Sequence, residues 1–531
     1  MNFNKAIWGF IVFSFTLLGC GSGESNESSV INTDPAVISS IDISSELTEQ
    51  GQILKATISC LDCLPTLTEY SWSIDGMIIS TIDSYILTAQ DFNKKIRIEV
   101  SVNNNDNLAD TAYKIVVPSR IQVSEIYSSD GAFAALKTDG SVVTWGESYW
   151  GENISAVDSS SVELTNVSEI YSNPYAFAAL KADSSVVTWG FNSRGGDSSA
   201  VELTKIAKIY STDAAFAALK TDGSVVTWGE SYWGGDSSAV ELTNVTELYS
   251  TESAFAALKT DGSIVTWGNS ENGGDSSAVE LTNITKIYST DVAFAALKTD
   301  GSVVTWGDNF NGGDSSAVEL TKVAKIYSTN VAFAALKTDG SVVTWGNNFH
   351  GGDSSAVELI NVAEIYSNQS AFAALKADGS VVTWGSENGG DSSAVELTNV
   401  TEIYSTLHAF AALKTDGSVV TWGNNFNGGD SSAVELTNIA KIYSNWGVFA
   451  ALKIDGSVVT WGGNANEQYT SAVELTNVTE IYSTTHAFAA LQTDGSVVAW
   501  GSNERGGDSS AVANDLLPSG INIVVIETDV P

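Results

Sequence analysis

Residues 293–307 read AFAALKTDGSVVTWG, and close copies of this stretch recur ten times along the chain. Each copy ends in a Trp-Gly pair, with the tryptophans at positions 145, 189, 228, 267, 306, 345, 384, 422, 461 and 500. Most successive tryptophans are 39 residues apart, so the repeating unit is about 39 residues long. A fixed period of about 20–50 residues is typical of repeat architectures. The repetition therefore decides the fold from residue 119 onward.

Each unit predicts three short strands. VTEIYS and SVVTWG are rich in β-branched and aromatic residues, and AFAALK lies between them. Thr-Asp-Gly separates the second strand from the third, and Asp-Gly favours a hairpin with a type I′ turn, which needs positive φ at both central residues. One copy has Asp183-Ser184 instead. The alanines leave room for neighbouring sheets to approach closely, with the tryptophan filling the remaining gap.

A three-stranded unit cannot bury both of its faces alone, so neighbouring units must stack on each other. An all-β propeller or an open superhelical array would both achieve this. Ten units in a closed ring would each turn by about 36°, beyond the four to eight blades that are usual. The tail INIVVIET (521–528) resembles one more first strand, which could pair with the first repeat or cap the last one.

The repeat also carries a family resemblance. ALKTDGSVVTWG followed by Gly-Gly is similar to the A-L-x-x-D-G-x-V-x-x-W-G-x-N-x-x-G-Q core of the regulator of chromosome condensation repeat. This resemblance implies a β-propeller, and the short period resembles bacterial forms such as secreted propellers that inhibit β-lactamase. The chain departs from the family pattern in having Gly-Gly-Asp in place of Gly-Gln, and in having ten copies rather than seven.

The N-terminus predicts an exported lipoprotein. MNFNK precedes the apolar run AIWGFIVFSFTLL, which is short for a membrane span and fits a secretory signal. Leu17-Leu18-Gly19-Cys20 resembles a bacterial lipobox, so residues 1–19 would be removed and Cys20 diacylated. An ordinary signal peptide is the alternative. Because Gly rather than Asp follows Cys20, we expect a lipid anchor in the outer membrane or at the cell surface. Residues 20–36 predict a flexible tether.

Residues 37–118 predict a separate β-sandwich of about seven short strands. The run YSWSIDG resembles bacterial immunoglobulin-like domains, which implies that Trp72, Leu87 and Ile96 are core residues and that the domain is a spacer. Cys60 and Cys63 are close neighbours in an exported chain, which favours a disulfide over free thiols or a metal site.

The charge excludes one class of partner. The chain has 63 Asp plus Glu against 24 Lys plus Arg, a formal net charge of −39. Such a surface repels phosphate backbones, so we expect no nucleic-acid binding. Chromatin roles of the resembling family are not expected here for the same reason.

Ten nearly equal repeats do not single out one position for a catalytic or metal site. The three histidines (His350, His408 and His486) fall in repeats six, eight and ten, a spacing that predicts they are too far apart to share a metal. Acids such as Asp236 and Glu241 recur in every GGDSSAVE segment, which favours solvated loop charge over catalysis. We expect no cofactor; a repeated calcium site is the alternative, although D-x-D-x-D-G spacing is absent.

Two segments vary while the rest of the repeat stays nearly fixed. The first window follows IYS at the end of the first strand, and the second window follows Trp-Gly at the end of the third. Strand direction predicts that both windows lie on one face and the Thr-Asp-Gly turns on the other. Exposed aromatics and arginines on loops are typical binding anchors. The candidate binding residues are Tyr149, Trp150, Phe191, Arg194, Tyr232, Trp233, Phe310, Phe349, His350, His408, Phe426, Trp446, Tyr469, His486 and Arg505.

These patterns favour a non-catalytic surface lipoprotein that binds a protein or a glycan. Inhibition of a secreted or periplasmic enzyme is an alternative that only the family resemblance suggests. A hydrolase acting on an extracellular polymer is a third, and it would need an unmatched acid pair in one repeat. Drift at unconstrained loop tips would also explain the variable windows without any binding role.

Overall fold

A computed structural model describes residues 36–48, 51–61, 68–88, 90–103, 109–147, 159, 162–463 and 475–529. The chain forms two compact units, one made of residues up to Pro118 together with Ile523–Pro531 and the other of Ser119–Asn522. Cys20, Cys63, Tyr149, Trp150 and Tyr469 lie outside the described residues. Within the described ranges, no helix is both long and apolar enough to cross a membrane.

The first unit is a β-sandwich of two antiparallel sheets, one of three strands and one of five. Trp72 and Ile96 are fully buried and Leu87 nearly so, which confirms their predicted place in the core. The Trp72 indole also donates to the Ile82 carbonyl at 2.9 Å. The strands are β1 Val37–Thr48, β2 Gly51–Leu61, β3 Thr68–Ile74, β4 Met77–Ser80, β5 Ser84–Ile86, β6 Ile96–Asn103, β7 Ala109–Ile121 and β38 Ser519–Asp529. Their order is β1-β2-β5 in the three-stranded sheet and β38-β7-β6-β3-β4 in the five-stranded sheet.

Strand β38 corrects the prediction for the tail and the end of the repeat domain. The sequence predicts that residues 521–528 pair with the first repeat or cap the last, and this prediction is wrong. Instead β38 lies beside β7 at the edge of the five-stranded sheet of the first unit. The Tyr113 hydroxyl donates to Glu527 Oε1 at 2.6 Å across this pair. The physical reason is that β7 would otherwise present an open row of backbone donors and acceptors.

Cys60, at the end of β2, is disulfide-bonded, in line with the predicted redox state. Its predicted partner is Cys63, one of the residues whose structure is not described.

The second unit consists of three-stranded antiparallel sheets, one for each of the ten repeats, with the strands in chain order inside every sheet. Their bounds are β8 Val123–Ser128, β9 Ala132–Lys137, β10 Val142–Gly146; β11 Val167–Ser172, β12 Ala176–Lys181, β13 Val186–Gly190; β14 Ile206–Ser211, β15 Ala215–Lys220, β16 Val225–Gly229; β17 Val245–Ser250, β18 Ala254–Lys259, β19 Ile264–Gly268; and β20 Ile284–Ser289, β21 Ala293–Lys298, β22 Val303–Gly307. The later repeats have β23 Val323–Ser328, β24 Ala332–Lys337, β25 Val342–Gly346; β26 Val362–Ser367, β27 Ala371–Lys376, β28 Val381–Gly385; β29 Val400–Ser405, β30 Ala409–Lys414, β31 Val419–Gly423; β32 Ile439–Ser444, β33 Val448–Lys453, β34 Val458–Gly462; and β35 Val478–Ser483, β36 Ala487–Gln492, β37 Val497–Gly501.

Short helical turns follow most of the third strands and are the only helices among the described residues. They are Asn192–Arg194, Ser231–Trp233, Ser270–Asn272, Asn309–Gly313, Asn348–His350, Glu387–Gly390, Asn425–Asn427 and Asn503–Arg505, followed by Ser510–Val512 and Ala513–Leu516 near the C-terminus.

The core of the second unit lies between neighbouring sheets, as the alanine-rich second strand predicts. Ala254 and Ala256 of one repeat pack against Phe294 and Trp306 of the next, and the alanines and Phe294 are fully buried. The Phe294 and Trp306 rings stack with their centroids 5.0 Å apart. The small alanine side chains let the sheets approach, and the stacked aromatic pair fills the space between them.

The last repeat packs on the first in the same way, so the array closes into a ring. Phe133 and Trp145 of repeat 1 share a buried cluster with Ala487 and Ala489 of repeat 10. The Trp145 indole donates to the Gly506 carbonyl at 3.0 Å. The equivalent bond between repeats 4 and 5, from Trp306 to Gly273, is also 3.0 Å long. The second unit is therefore a propeller-like ring of ten sheets, which decides between the two arrangements that the sequence left open.

The hairpin between the second and third strands differs from the predicted type I′ turn. Gly301 has a φ of +78°, whereas Asp300 is not among the residues with positive φ. The Gly301 N–H donates to the Lys298 carbonyl at 3.0 Å, and the Lys298 N–H donates to the Ser302 carbonyl at 2.9 Å. This is a type I turn closed by a left-handed glycine. Asp300 prefers this turn because its Oδ1 accepts from the Ser302 N–H at 2.9 Å.

We expect Ser184→Gly to raise the free energy of unfolding by about 0.5–1 kcal/mol, because a side chain in the left-handed region is strained. Ser184 has a φ of +65° at the position where the other copies have glycine. Urea unfolding measures the change, and the mirror variant Gly301→Ser should lower stability by a similar amount. An unchanged midpoint for both variants would show that the turn carries no such strain.

Candidate binding face and central cavity

Both variable windows lie at the same end of the sheets. The Thr329 hydroxyl in the first window of repeat 6 donates to the carbonyl of His350 in the second window at 3.1 Å. Asn173 donates to the Arg194 carbonyl at 2.8 Å in the same way. The Asp-Gly turns lie at the other end of the sheets, where the Gly301 carbonyl accepts from Val323 at the start of the next repeat's first strand. We call the end that carries both windows the variable face.

Four aromatic side chains project from equivalent positions in the second window. Tyr232, Phe310, Phe349 and Phe426 have exposed fractions of 60%, 69%, 80% and 67%. They belong to repeats 3, 5, 6 and 8. We call these four residues the aromatic arc. Covering large apolar side chains with a partner lowers the free energy of the complex, so these four are the strongest candidates for binding anchors.

The loops that carry the aromatic arc are held rigidly. The Asn347 side chain accepts from the Phe349 N–H at 3.1 Å, and the Asn424 side chain accepts from the Phe426 N–H at 2.9 Å. Gly351 then ends the turn with a φ of +98°, and a Cβ at this position would lie 2.5 Å from the Phe372 ring of the next repeat. The window therefore presents its aromatic side chain at little further cost in conformational entropy.

Other candidate residues are less exposed than those of the aromatic arc. Trp233 is half-buried because the fourth residue of its window turns against the next repeat, where it packs on the cluster that contains Phe255. Phe191 and Arg505 are also half-buried. Arg194 lies over the Tyr175 ring, 4.0 Å from its centroid. These residues support the variable face from within more than they project from it.

The three histidines are half-buried on the variable face. His350 Nδ1 hydrogen-bonds with Asn347 Oδ1 at 3.0 Å. The His486 ring lies 5.3 Å from the Trp446 ring, which is 46% exposed. Burial lowers the pKa of His408, and nearby His350 lowers it further. In the described part of the chain, no three His, Cys, Asp or Glu side chains are grouped so that they could hold a metal ion.

The recurring acids Asp236 and Glu241 are exposed and have local partners. Asp236 Oδ1 accepts from the Ser238 N–H at 2.9 Å, and this bond lowers the pKa of Asp236. Glu241 accepts from the Thr243 hydroxyl at 3.2 Å. These contacts give the GGDSSAVE carboxylates a structural role in their loops.

The first windows line a shared cavity of about 800 Å³, which we call the central cavity. Four carboxylates stand at the same position of this window in repeats 1, 3, 4 and 5. They are Asp130, Asp213, Glu252 and Asp291, and we call them the axial carboxylate arc. These four residues are not among the candidates predicted from the sequence, although the residue two places after the first strand is acidic in four repeats.

The pKa values of the axial carboxylate arc are raised. Burial raises the pKa of Asp213 to about 7, with further contributions from Glu252 and Asp130, while Arg194 acts in the opposite direction. Burial and the charges of Glu252 and Asp213 raise the pKa of Asp291 to about 7. Burial also raises the pKa of Glu252 and of Asp130. Carboxylates that repel each other in a partly desolvated site hold protons at higher pH than usual.

Comparisons with known proteins leave the family open. No protein-family model matches the chain, and no curated protein matches it in sequence. Among solved structures, it is similar to Prp20p from Saccharomyces cerevisiae, elsewhere called yeast RCC1, with 16% identity, a TM-score of 0.30, and 58% of this chain and 83% of that chain covered. The ectodomain of receptor kinase CR4 from Physcomitrella patens has 16% identity, a TM-score of 0.30, and coverages of 47% and 70%. The computationally designed protein Ika8 has 15% identity, a TM-score of 0.29, and coverages of 57% and 97%. Identities and TM-scores this low establish neither a family nor a function for the chain.

Proposed function

We propose that the chain is a non-catalytic bacterial surface lipoprotein whose ring binds a macromolecular ligand through the variable face. The observation that carries this proposal is the aromatic arc, four side chains that are each at least 60% exposed at one position of a rigid loop. Loop tips that merely drift would favour small polar residues, whereas anchors at binding interfaces are enriched in aromatic side chains.

A protein ligand fits the aromatic arc better than a glycan does. Three of its four members are phenylalanines, which offer an apolar surface without a hydroxyl group for sugar hydrogen bonds. Carboxylates such as Glu230 and Asp308 precede the aromatic residues in the same windows, and the chain as a whole carries a net charge of −39. A ligand with an apolar patch bordered by basic residues would complement this surface.

The N-terminal part of the chain supports a position at the cell surface. The lipobox-like stretch that ends at Cys20 would attach the chain to the outer membrane, and residues 20–36 would act as a tether. The sandwich would then be a spacer, as its resemblance to immunoglobulin-like domains of surface proteins implies.

We expect Cys20→Ser to move the protein from the membrane fraction to the soluble fraction, because acyl chains need the Cys20 thiol. Mass spectrometry of the N-terminal peptide checks the modification directly, and Cys63→Ser is the matched control that should remain in the membrane fraction. Parent protein whose Cys20 is present but carries no acyl group would contradict the anchor.

The test of binding uses the soluble Cys20→Ser protein, immobilised and incubated both with cell-surface protein extracts and with a glycan array. The parent sequence should capture a protein that a Phe310→Ala, Phe349→Ala, Phe426→Ala variant does not. Capture of a glycan instead would overturn the choice of ligand class. Equal capture by both forms would contradict binding through the aromatic arc.

A further inference from the structure

A belt of backbone hydrogen bonds connects the first windows around the central cavity. Each participating residue donates its N–H to the carbonyl of its equivalent in the following repeat. The belt comprises eight bonds of 2.9–3.2 Å, in the order Asp213, Glu252, Asp291, Asn330, Gln369, Leu407, Trp446, Thr485 and Asp130. Such a belt links neighbouring repeats in addition to the apolar packing between the sheets.

The axial carboxylate arc is built into this belt. The bonds donated by Asp213, Glu252 and Asp291 are each 2.9 Å long. The carboxyl groups of Glu252 and Asp291 also lie close enough to each other that the charge of Glu252 raises the pKa of Asp291. Because the backbone fixes these residues next to one another, their side chains cannot move far apart without breaking the belt.

Few positive charges face the arc. Arg194 faces Asp213, and Arg505 faces Asp130. The groups that face Glu252 and Asp291 are the other carboxylates of the arc and the neutral amide of Asn330. In the described part of the chain, two guanidinium groups thus oppose four carboxyl groups, so full ionisation leaves a net negative charge in a partly desolvated space.

Repeat 2 interrupts the belt between two members of the arc. It contributes Pro174 at the belt position, and proline has no N–H to donate. Asp130 and Asp213 stand in the repeats on either side of it. The carboxylates are therefore concentrated at the part of the ring where the belt is weakest.

We propose that the axial carboxylate arc is a pH-sensitive contact between repeats, which holds their first windows together when it is protonated and loosens them when the carboxyl groups ionise. Because the pKa values are raised, the stability of this contact decreases as the pH rises. A carboxyl group whose pKa is higher in the folded state contributes stability below its unfolded pKa, and this stability is lost as the pH rises through the folded pKa. For Asp213 and Asp291 the loss builds up as the pH rises above the ordinary aspartate pKa of about 4 and is complete above the folded pKa of about 7.

Hydrogen exchange of the parent protein at pH 6 and pH 8 tests whether these first windows loosen as the pH rises. Segments that contain Asp213, Glu252 and Asp291 are compared with segments that contain Leu407 and Trp446 on the neutral part of the belt. Taking the ratio of the two rates removes the chemical effect of pH on exchange. The ratio should rise about tenfold or more from pH 6 to pH 8, the equivalent of one pKa unit or more. An unchanged ratio would overturn the proposal.

Two double variants test which carboxyl groups cause the pH dependence of the exchange ratio. Asp213→Asn with Asp291→Asn should remove the change in the ratio, because neither side chain then ionises. Asp236→Asn with Asp275→Asn alters the net charge equally, but their exposed carboxyl groups have lowered pKa values and should leave the pH dependence intact. Parent-like behaviour of the first pair would overturn the proposal. If that double variant does not fold, the change in the exchange ratio of the parent protein decides whether the proposal holds.

Discussion

Replacing Phe310, Phe349 and Phe426 together by alanine is expected to weaken ligand binding at least about thirtyfold, the equivalent of about 2 kcal/mol. These side chains are 67–80% exposed, so they contribute little to the packing of the ring. In a complex they would be covered, and their truncation would remove apolar contact area at the interface. Titration of the captured ligand measures the dissociation constant, and the midpoint of thermal unfolding should change little.

The matched control changes the opposite face. Asp222→Asn with Asp300→Asn alters two of the Asp-Gly turns, where each carboxylate accepts from the N–H and hydroxyl of the serine two residues later. We expect this variant to lose some stability and to keep its affinity. Equal loss of affinity in both variants, with folding intact, would mean that the face is assigned wrongly.

Trp145→Ala is expected to lower the free energy of unfolding by about 3–5 kcal/mol, the usual cost of removing a buried aromatic side chain. Trp145 is only 3% exposed and stacks on Phe133 at a centroid distance of 5.1 Å. Its indole also donates to the Gly506 carbonyl, so the substitution leaves an unpaired acceptor as well as a cavity. Urea unfolding of the purified protein measures the loss.

Trp306→Ala is the matched control, because Trp306 occupies the same position inside the array and is 4% exposed. In a closed ring the two substitutions should cost about the same. In an open array Trp145 would have no preceding repeat to pack against, and its loss would cost clearly less. A much smaller effect of Trp145→Ala would therefore contradict ring closure.

Much of the ring could be predicted from the sequence because its determinants are local and repeated. Strand positions follow from short β-rich segments, and the alanines of the second strand indicate close packing between sheets. The placement of both windows at one end follows from strand direction alone. The buried position of Trp72 in the sandwich also follows from a local pattern. In each case, residues close in sequence fix the structure.

The features that sequence reasoning missed depend on distant contacts or on subtle backbone geometry. INIVVIET resembles a first strand, which predicts that the tail joins the ring, but the open edge of β7 binds it instead. Asp-Gly fits two kinds of hairpin, and the side-chain bond from Asp300 to Ser302 favours the type I turn. Trp233 could not be separated from Tyr232 by composition, since only packing on the next repeat buries it.

Site-specific photo-cross-linking tests the central claim, that the variable face binds the ligand, most directly. Benzoylphenylalanine is introduced at position 349 of the aromatic arc or, as the control in the same repeat, at position 339 in the opposite turn. The full chain is expressed in cells, irradiated and examined for covalent adducts. If the variable face binds the ligand, we expect an adduct from position 349 and none from position 339. An adduct from position 339 in equal or greater yield, or no adduct from position 349 while the unsubstituted chain still captures its ligand, would contradict it.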